Sequence, residues 1–393
     1  MRCDKKSPPV WTVFAHVPPP LHGQSKMVEI DLEILRRQLP GRVVHVDARW
    51  SDSLEEIGSS GWGKFRRLLR YVKEALVAKW RKGAGVLYYV PGPVKWSAVV
   101  RDIVVLGILR RVYPSTVFHW HAIGQGEWAH GSERVSLTKS HWLDFLMRKL
   151  SAWSLREPDL SIVVSKYSDK DARAIASDAI AVVPNGIDDP ADAKDEVPGR
   201  PEKPVRLLFF SRGTREKGIL DALEVVLACT RRHSWVSGEY TLTLAGGVDP
   251  EVEEEVRALS RECAKAGVPV NRLDFVAGKG KREMFQQHDC LLFPSRWESF
   301  GLVIAEAMAF DLPVVSAASD GATGVLGRDY PYLAPVGDID RLADALAWAL
   351  DSDYEKGANR RRYLNEFDRS AHDRSLVRAV SDFEESIRQA LRS

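Results

Sequence analysis

Short, almost wholly apolar runs recur along this chain with helix-like stretches between them, and they constrain its fold more tightly than any other feature. The first series is VWTVFAHV (10–17), RVVHVDA (42–48), GVLYYV (85–90), TVFHWHA (116–122) and LSIVVS (160–165). Strands this apolar need cover on both faces, which a parallel sheet with crossover helices provides. The segment DPADAKDEVPGRPEKP (189–204), rich in proline and charge, interrupts the pattern and reads as a linker. A second series follows: VRLLFFS (205–211), YTLTLAG (240–246), NRLDFVAG (271–278), DCLLFPS (289–295) and LPVVSAA (312–318). The chain is therefore expected to be α/β, with one Rossmann-like domain over 1–188 and a second from 205 onward, a length of 393 residues being right for two. Ligands are expected at the carboxyl ends of the strands, and chemistry in the cleft between the domains.

Composition narrows the class. Hydrophobic residues make up 45% and charged residues 28%, as in soluble globular proteins, and the formal charge of +2 gives no reason to expect nucleic acid. Cys3, Cys229, Cys263 and Cys290 lack any metal-binding spacing, so neither a disulfide nor a zinc site is expected and a reducing, cytoplasmic location fits. The stretch Val10 to Val17 is short, contains His16 and runs into prolines, so it reads as a strand rather than a signal peptide. The most apolar longer stretch, Ala98 to Leu109, contains Arg101 and Asp102, and no transmembrane helix is expected.

The most informative segment is FPSRWESFGLVIAEAMAFDLPVV (293–315). It reads as a strand ending at Ser295, a loop carrying Glu298 and a helix from about Gly301. On that reading the free amides from Ser299 through Phe300 and Gly301 to Leu302 suit a diphosphate, and Glu306, in the second helical turn, suits ribose hydroxyls. This segment resembles the signature of retaining, nucleotide-sugar-dependent glycosyltransferases of family four, which have the GT-B fold of two facing Rossmann-like domains. The match holds at Pro294, Ser295, Glu298, Ser299, Phe300, Gly301, Leu302, Glu306, Ala307, Met308, Ala309 and Pro313. It departs at Asp311, where the family has glycine; an aspartate in a left-handed turn is a tolerable replacement.

A second match is FFSRGTREKGILDAL (209–223), a strand followed by Arg212 and by Lys217-Gly218 opening a helix. Charge builds on a nucleoside diphosphate as it leaves, and Arg212 and Lys217 are expected to stabilise it electrostatically, with neither metal nor cofactor. Glu298 is assigned to donor-sugar hydroxyls. In the first domain, Gly23 and Gln24, with Ser25, lie in VFAHVPPPLHGQSKMVEIDLEIL (13–35), where the family has a glycine-rich loop, and they are expected at the donor. The family places a histidine after the fourth strand. His121 falls there, while His119 shares its strand face, and either is a candidate for the sugar or acceptor. Ser165 is read as ending a strand and capping a helix, and Pro184-Asn185-Gly186 as a turn toward the linker. The resemblance runs from about residue 10 to 350 and implies a nucleotide-sugar domain over 205–373, with a final helix (about 374–393) returning to the acceptor-binding first domain.

Three other readings compete. Gly124-Gln-Gly126-Glu-Trp-Ala129, with Asp144 beyond, resembles a dinucleotide fingerprint and would suit an NAD-dependent dehydrogenase, although Glu127 and Trp128 begin no convincing helix. The pairs Asp169/Asp171, Asp338/Asp340 and Asp351/Asp353 would suit a metal, but the first two stand where helix caps are expected. A catalytically inactive GT-B-like binding subunit would keep the fold and lose turnover. Finally, GWGKFRRLLRYVKEALVAKWRKG (61–83) places Trp62, Phe65, Leu68, Leu69, Val72, Leu76 and Trp80 on one helical face, with Arg66, Arg67, Arg70, Lys73 and Arg81 around it. A basic, aromatic helix suits an anionic membrane surface and a peripheral location on the inner face of the membrane. The expectation is transfer of a hexosyl or N-acetylhexosaminyl group from a UDP- or GDP-sugar to a glycan or lipid-linked acceptor, in assembly of a cell-surface polysaccharide.

Overall fold

The computed structural model describes residues 8–19, 23–49, 62–131, 136–190, 204–233, 235–351 and 357–392. Most of the expected linker, residues 191–203, lies outside them. The chain divides into two compact units, one of residues 1–185 with 372–393 and one of residues 186–371.

In chain order the first unit contains β1 (Val10–Ala15), α1 (Gly23–Gln38), β2 (Val43–Asp47), α2 (Trp62–Lys82), β3 (Ala84–Tyr89), α3 (Trp96–Leu109), β4 (Ser115–Trp120), α4 (Gln125–Ala129), α5 (His141–Leu155), β5 (Leu160–Val163), α6 (Lys170–Ala174) and β6 (Ile180–Val182). The second contains β7 (Val205–Phe210), α7 (Ile219–Arg232), β8 (Tyr240–Ala245), α8 (Glu253–Lys265), β9 (Val270–Leu273), α9 (Gly278–Gln287), β10 (Cys290–Phe293), α10 (Leu302–Ala309), β11 (Val314–Ala317), α11 (Asp320–Leu326), β12 (Leu333–Ala334), α12 (Ile339–Asp351) and α13 (Ala358–Glu366). A last helix, α14 (Arg369–Arg392), starts in the second unit and from His372 belongs to the first.

Each unit is a parallel sheet, ordered β2-β1-β3-β4-β5-β6 in the first and β12-β11-β10-β7-β8-β9 in the second. The expected α/β, Rossmann-like architecture is what is observed. The central runs are buried along their whole length, as CLLF in β10 and VVSA in β11 are, because helices cover both faces. Two edge strands, β6 and β12, are only three and two residues long and do not stand out in the sequence. The run expected over 271–278 is a strand only to Leu273. Its residues are mostly exposed at the sheet edge, and at Gly278, with φ of 57°, the chain turns into α9.

Two further expectations change. Ser165 does not cap α6; its hydroxyl accepts from the Tyr167 amide at 3.1 Å in a local turn, and Asp169 holds the N-cap position. Helix α2 divides the apolar set expected on one face. Leu68 and Val72 join Tyr71 and Ala75 in the core of the first unit, whereas Leu69 is 46% and Trp80 67% exposed. The side chains of Trp62 and Phe65 lie outside the described residues.

One buried carboxylate is among the contacts that hold helix α14 to the first unit. Glu384, nearly buried, accepts from the Trp11 indole at 3.1 Å and from the Arg42 guanidinium at 3.0 Å, and the Phe383 ring stands edge-on to Trp11. Replacing Glu384 by alanine leaves Arg42 half-buried and uncompensated, and is expected to lower the stability of the first unit by about 3 kcal/mol. Urea unfolding followed by tryptophan fluorescence measures this; a loss under about 0.5 kcal/mol would mean that the pair does not hold the helix.

Candidate functional site

In an open parallel sheet the strand order reverses at one point, and there the loops leaving neighbouring strands diverge and open a crevice. In the second unit that point lies between β7 and β10. The loop after β7 carries Arg212 and Lys217, and the loop after β10 carries Glu298. The fold thus brings together residues 81 positions apart: Lys217 Nζ donates to Glu298 Oε2 at 2.7 Å. Two glycines permit it. Gly218 has φ of 75°, and a Cβ there would strike the Pro294 carbonyl, so only glycine lets α7 start this close to the end of β10. Gly321 at the start of α11 backs the loop from the other side, its amide donating to the Glu298 carbonyl at 3.0 Å, where a Cβ would come within 2.6 Å of that oxygen.

Helix α10 begins at Leu302 behind Gly301, whose φ is 87°, and no side chain caps its first amides. Phe300 turns its ring into the core against Phe367, so its backbone is what it offers to a ligand. Ile304, Ala305, Ala307, Met308 and Ala309 are buried, and Glu306 is the polar residue of this helix. Its side chain is 18% exposed, and Oε1 accepts from Lys281 Nζ of α9 at 2.6 Å. Burial raises the Glu306 pKa above its ordinary value, and the Lys281 ammonium only partly opposes this. The result is a second lysine–glutamate pair whose carboxylate gains from further hydrogen-bond donors. Lys281 was not legible, because GKGKRE reads as a solvated charge run.

Arg212 is not joined to this group. Its guanidinium, 73% exposed, pairs with Asp249 at 2.8 Å. Asp311 adopts the expected left-handed turn, with φ of 56°, and its carboxylate accepts from the Arg360 amide at 3.1 Å at the start of α13. That second duty accounts for an aspartate where glycine would serve the turn alone.

In the first unit Gly23 and Gln24 open α1, and Ser25 is buried. His119 and His121 lie side by side, ring centroids 4.1 Å apart. His119 Nδ1 is hydrogen-bonded to the Tyr88 hydroxyl, which donates to Asp31 Oδ2 at 3.1 Å. His372 of α14 bridges Asp31 Oδ1, at 2.8 Å, and the Pro184 carbonyl, at 2.7 Å. Burial opposes the charge on Asp31, but the histidines around it hold its carboxyl well below the usual carboxylate range. Burial and the neighbouring His121 depress His119 to about 4. Both nitrogens of His121 are buried and make no hydrogen bond among the described residues, Nε2 standing 3.7 Å from Asp31. The ligand atoms of Asp31, His119 and His121 gather within 4.8 Å of one another, but the carboxylate already takes donors from Tyr88 and His372. Asp31 had a signal in the sequence: it lies four residues from both Met27 and Leu35, an acid inside the apolar stripe of α1.

The dinucleotide reading fails on geometry. Gly124 caps a short helix, α4, and its amide and those of Gly126 and Glu127 donate to the Asp171 carboxylate at 2.6, 2.6 and 3.0 Å. A carboxylate of the protein itself therefore occupies the place a pyrophosphate would take. Asp171 is thereby a clamp on this turn, while Asp338 accepts from the Arg341 amide at 3.0 Å as a helix cap.

The model of the family described as glycosyl transferases group 1 matches residues 191–369. This segment, somewhat under half of the chain, is similar to group 1 glycosyltransferase domains. Over 229 residues the chain is 31% identical to a phosphatidyl-myo-inositol mannosyltransferase of Mycobacterium leprae, covering 56% of this chain and 57% of that one. It is 28% identical over 229 residues to a glycogen synthase of Mycobacterium tuberculosis, covering 56% and 53%. The chain thus spans somewhat more than half the length of these curated relatives. Among solved structures, sucrose-phosphate synthase from Thermosynechococcus elongatus superposes with a TM-score of 0.66 at 18% identity, covering 96% of this chain and all of that one. Anabaena Alr3699/HepE in complex with UDP does so with a TM-score of 0.64 at 16% identity, covering 95% and 100%. The fold shown by these superpositions is GT-B.

The raised pKa of Glu306 sets a pH dependence. A carboxyl that binds its proton more tightly in the folded state costs stability as pH rises from its ordinary value to its raised one, and returns it on acidification. The stability advantage of Glu306→Gln over the parent at about pH 7.5 is therefore expected to shrink as pH falls toward about 4.5. Parallel thermal melts across that range measure it, and curves of constant separation would contradict it.

Proposed function

We propose that the protein is a retaining glycosyltransferase that moves a sugar from a UDP- or GDP-sugar to a hydroxyl of a lipid-linked or cell-surface glycan precursor. The observation that carries this reading is the pairing of Lys217 with Glu298 and of Lys281 with Glu306 in the second unit, the first pair at the point where its strand order reverses. The mannosyltransferase named for a phosphatidyl-inositol and the UDP complex of the Anabaena protein support the acceptor and donor classes.

In this reading the donor diphosphate lies on the amides at the start of α10, within reach of Lys217, and the ribose hydroxyls donate to Glu306. Glu298 holds Lys217 in place and accepts from hydroxyls of the donor sugar. Arg212 joins by leaving Asp249, an exposed pair whose loss costs about 1 kcal/mol or less. As the anomeric C–O bond breaks, negative charge grows on the departing phosphate oxygen, and the two cations stabilise it without a metal. The acceptor hydroxyl attacks the same face and gives its proton to that oxygen. His121, whose ring nitrogens make no hydrogen bond among the described residues, is assigned to a sugar or acceptor hydroxyl. A pure binding subunit would keep the donor site and turn nothing over.

Membrane attachment is part of the same proposal. The outward half of α2 exposes Leu69, Val77 and Trp80 among Arg66, Arg70, Lys73 and Arg81, which suits a peripheral position on the cytoplasmic face. The described cysteines are buried, unpaired thiols, which suits the same compartment.

Lys217→Ala is expected to lower kcat by about a hundredfold, with a much smaller change in KM, because its charge matters most as the diphosphate leaves. Arg212→Ala follows in the same direction, whereas Asp249→Ala, which frees Arg212, keeps its activity. Donor turnover with and without acceptor, in the presence of chelator, is the assay. Full activity in Lys217→Ala, or activity that needs added Mg²⁺, would refute the electrostatic, metal-free account.

A further inference from the structure

Helix α5 buries Asp144, Ser151 and Ser154 and exposes its aromatic residues. Facing inward are Asp144, Met147, Ser151, Ser154 and Leu155, with Asp144 taking the Leu137 amide and the Arg148 guanidinium, each at 2.8 Å. Facing outward are Trp142, 71% exposed, Phe145, 58% exposed, and Lys149, Leu150 and Trp153. At 100° per residue these outward positions fall within an arc of about 140°, and they run about 16 Å along the axis. A continuous aromatic stripe facing water marks a surface that something else covers.

Its neighbours indicate what that is. Helix α3 packs between α5 and α2, and side chains of all three join one core cluster with the sheet, so the three helices form one layer. Among the described residues of this layer, the exposed charges are Arg66, Arg70, Lys73, Arg81, Lys82 and Lys149 against the single acid Glu74. The aromatic rings carry cations at their sides: Lys149 Nζ lies 5.6 Å from the Phe145 ring centre, and the Arg111 guanidinium 5.1 Å from that of Trp153. Aromatic rings at headgroup depth, with long basic side chains reaching the phosphates beside them, are what an interfacial helix presents to an anionic bilayer. Helix α2 shows the same composition at the other side of α3.

We propose that the outer face of α5 is a second membrane contact, so that the first unit meets an anionic phospholipid surface through α2 and α5 together. The inference rests on the lipid-linked acceptor reading. Two separated helices, rather than one, fix the orientation of the unit on the surface. Trp142 and Phe145 then enter the headgroup layer, while Lys149 and Arg111 bind lipid phosphates.

Sedimentation with vesicles of phosphatidylglycerol and phosphatidylcholine, and with phosphatidylcholine alone, tests this on the full chain. The parent protein is expected to partition onto the anionic vesicles. The double variant Trp142→Asp, Phe145→Asp should lose about tenfold or more in partitioning at any salt concentration, and Trp142→Phe, Phe145→Leu should keep most of it. The variant Arg66→Glu, Arg67→Glu, Arg70→Glu should lose most at low salt, where charge attraction dominates. Donor affinity and turnover of a soluble acceptor unchanged in the α5 variant show that the fold is intact. Partitioning of the α5 variant equal to the parent would overturn the α5 contact and leave the α2 reading standing. A parent protein that binds neither vesicle would overturn both. A parent dimer that the aspartate variant splits, by light scattering, would assign this face to a second copy and overturn the membrane contact.

Discussion

A strand buried on both faces has no polar side chains to spare along its length, so what a parallel sheet offers a ligand is gathered at its carboxyl edge. The second unit depends on this constraint. β7 and β10 are neighbours in the sheet but come from distant parts of the chain, and the loops leaving them set Lys217 against Glu298 at 2.7 Å. The glycines serve the same constraint: Gly218 and Gly321 allow backbones to approach where any side chain would push the loops apart. Helix α10 adds the second pair because it is so apolar that its one carboxylate is raised in pKa and held by Lys281.

The first unit solves a different problem with similar means. Helix α14 must be held against a sheet built mostly from the other end of the chain, and it is held by polar contacts that stand inside apolar surroundings. Glu384 takes Trp11 and Arg42, and His372 takes Asp31 and the Pro184 carbonyl. Buried polar groups of this kind are costly when unpaired and give a defined geometry when paired. His119 Nδ1 is held by Tyr88, whereas neither nitrogen of His121 makes a hydrogen bond among the described residues.

Much of the fold was legible because apolar runs bounded by turn residues report buried strands directly; VRLLFFS names β7 to within one residue, and LPVVSAA contains β11. The edge strands β6 and β12 are too short to stand out. For the candidate site, Lys217, Glu298 and Glu306 were legible as a local motif, since each is fixed by its distance from a strand end or helix start. Their partners were not. Lys281 and Asp249 come to Glu306 and Arg212 through the packing of separate elements, and nothing in KGKRE or GGVDPE marks either as more than a solvated charge. Asp171 shows the converse: a glycine-rich turn that reads as an anion site is filled by a carboxylate 47 positions later. For α2, helical periodicity gave an apolar face, but the division between core-facing Leu68 and Val72 and outward Leu69 and Trp80 depends on where the neighbouring helix lies.

The central claim is that the two lysine–glutamate pairs of the second unit form a nucleotide-sugar site. Calorimetric titration of the full chain with UDP, GDP and their hexose conjugates tests it most directly, with Glu306→Ala titrated in parallel. The account predicts one saturable site for a single nucleotide class. It also predicts that Glu306→Ala loses about 1.5–3 kcal/mol of affinity, as expected for removal of charged hydrogen bonds. No binding of any nucleoside diphosphate, or parental affinity in Glu306→Ala, would contradict it.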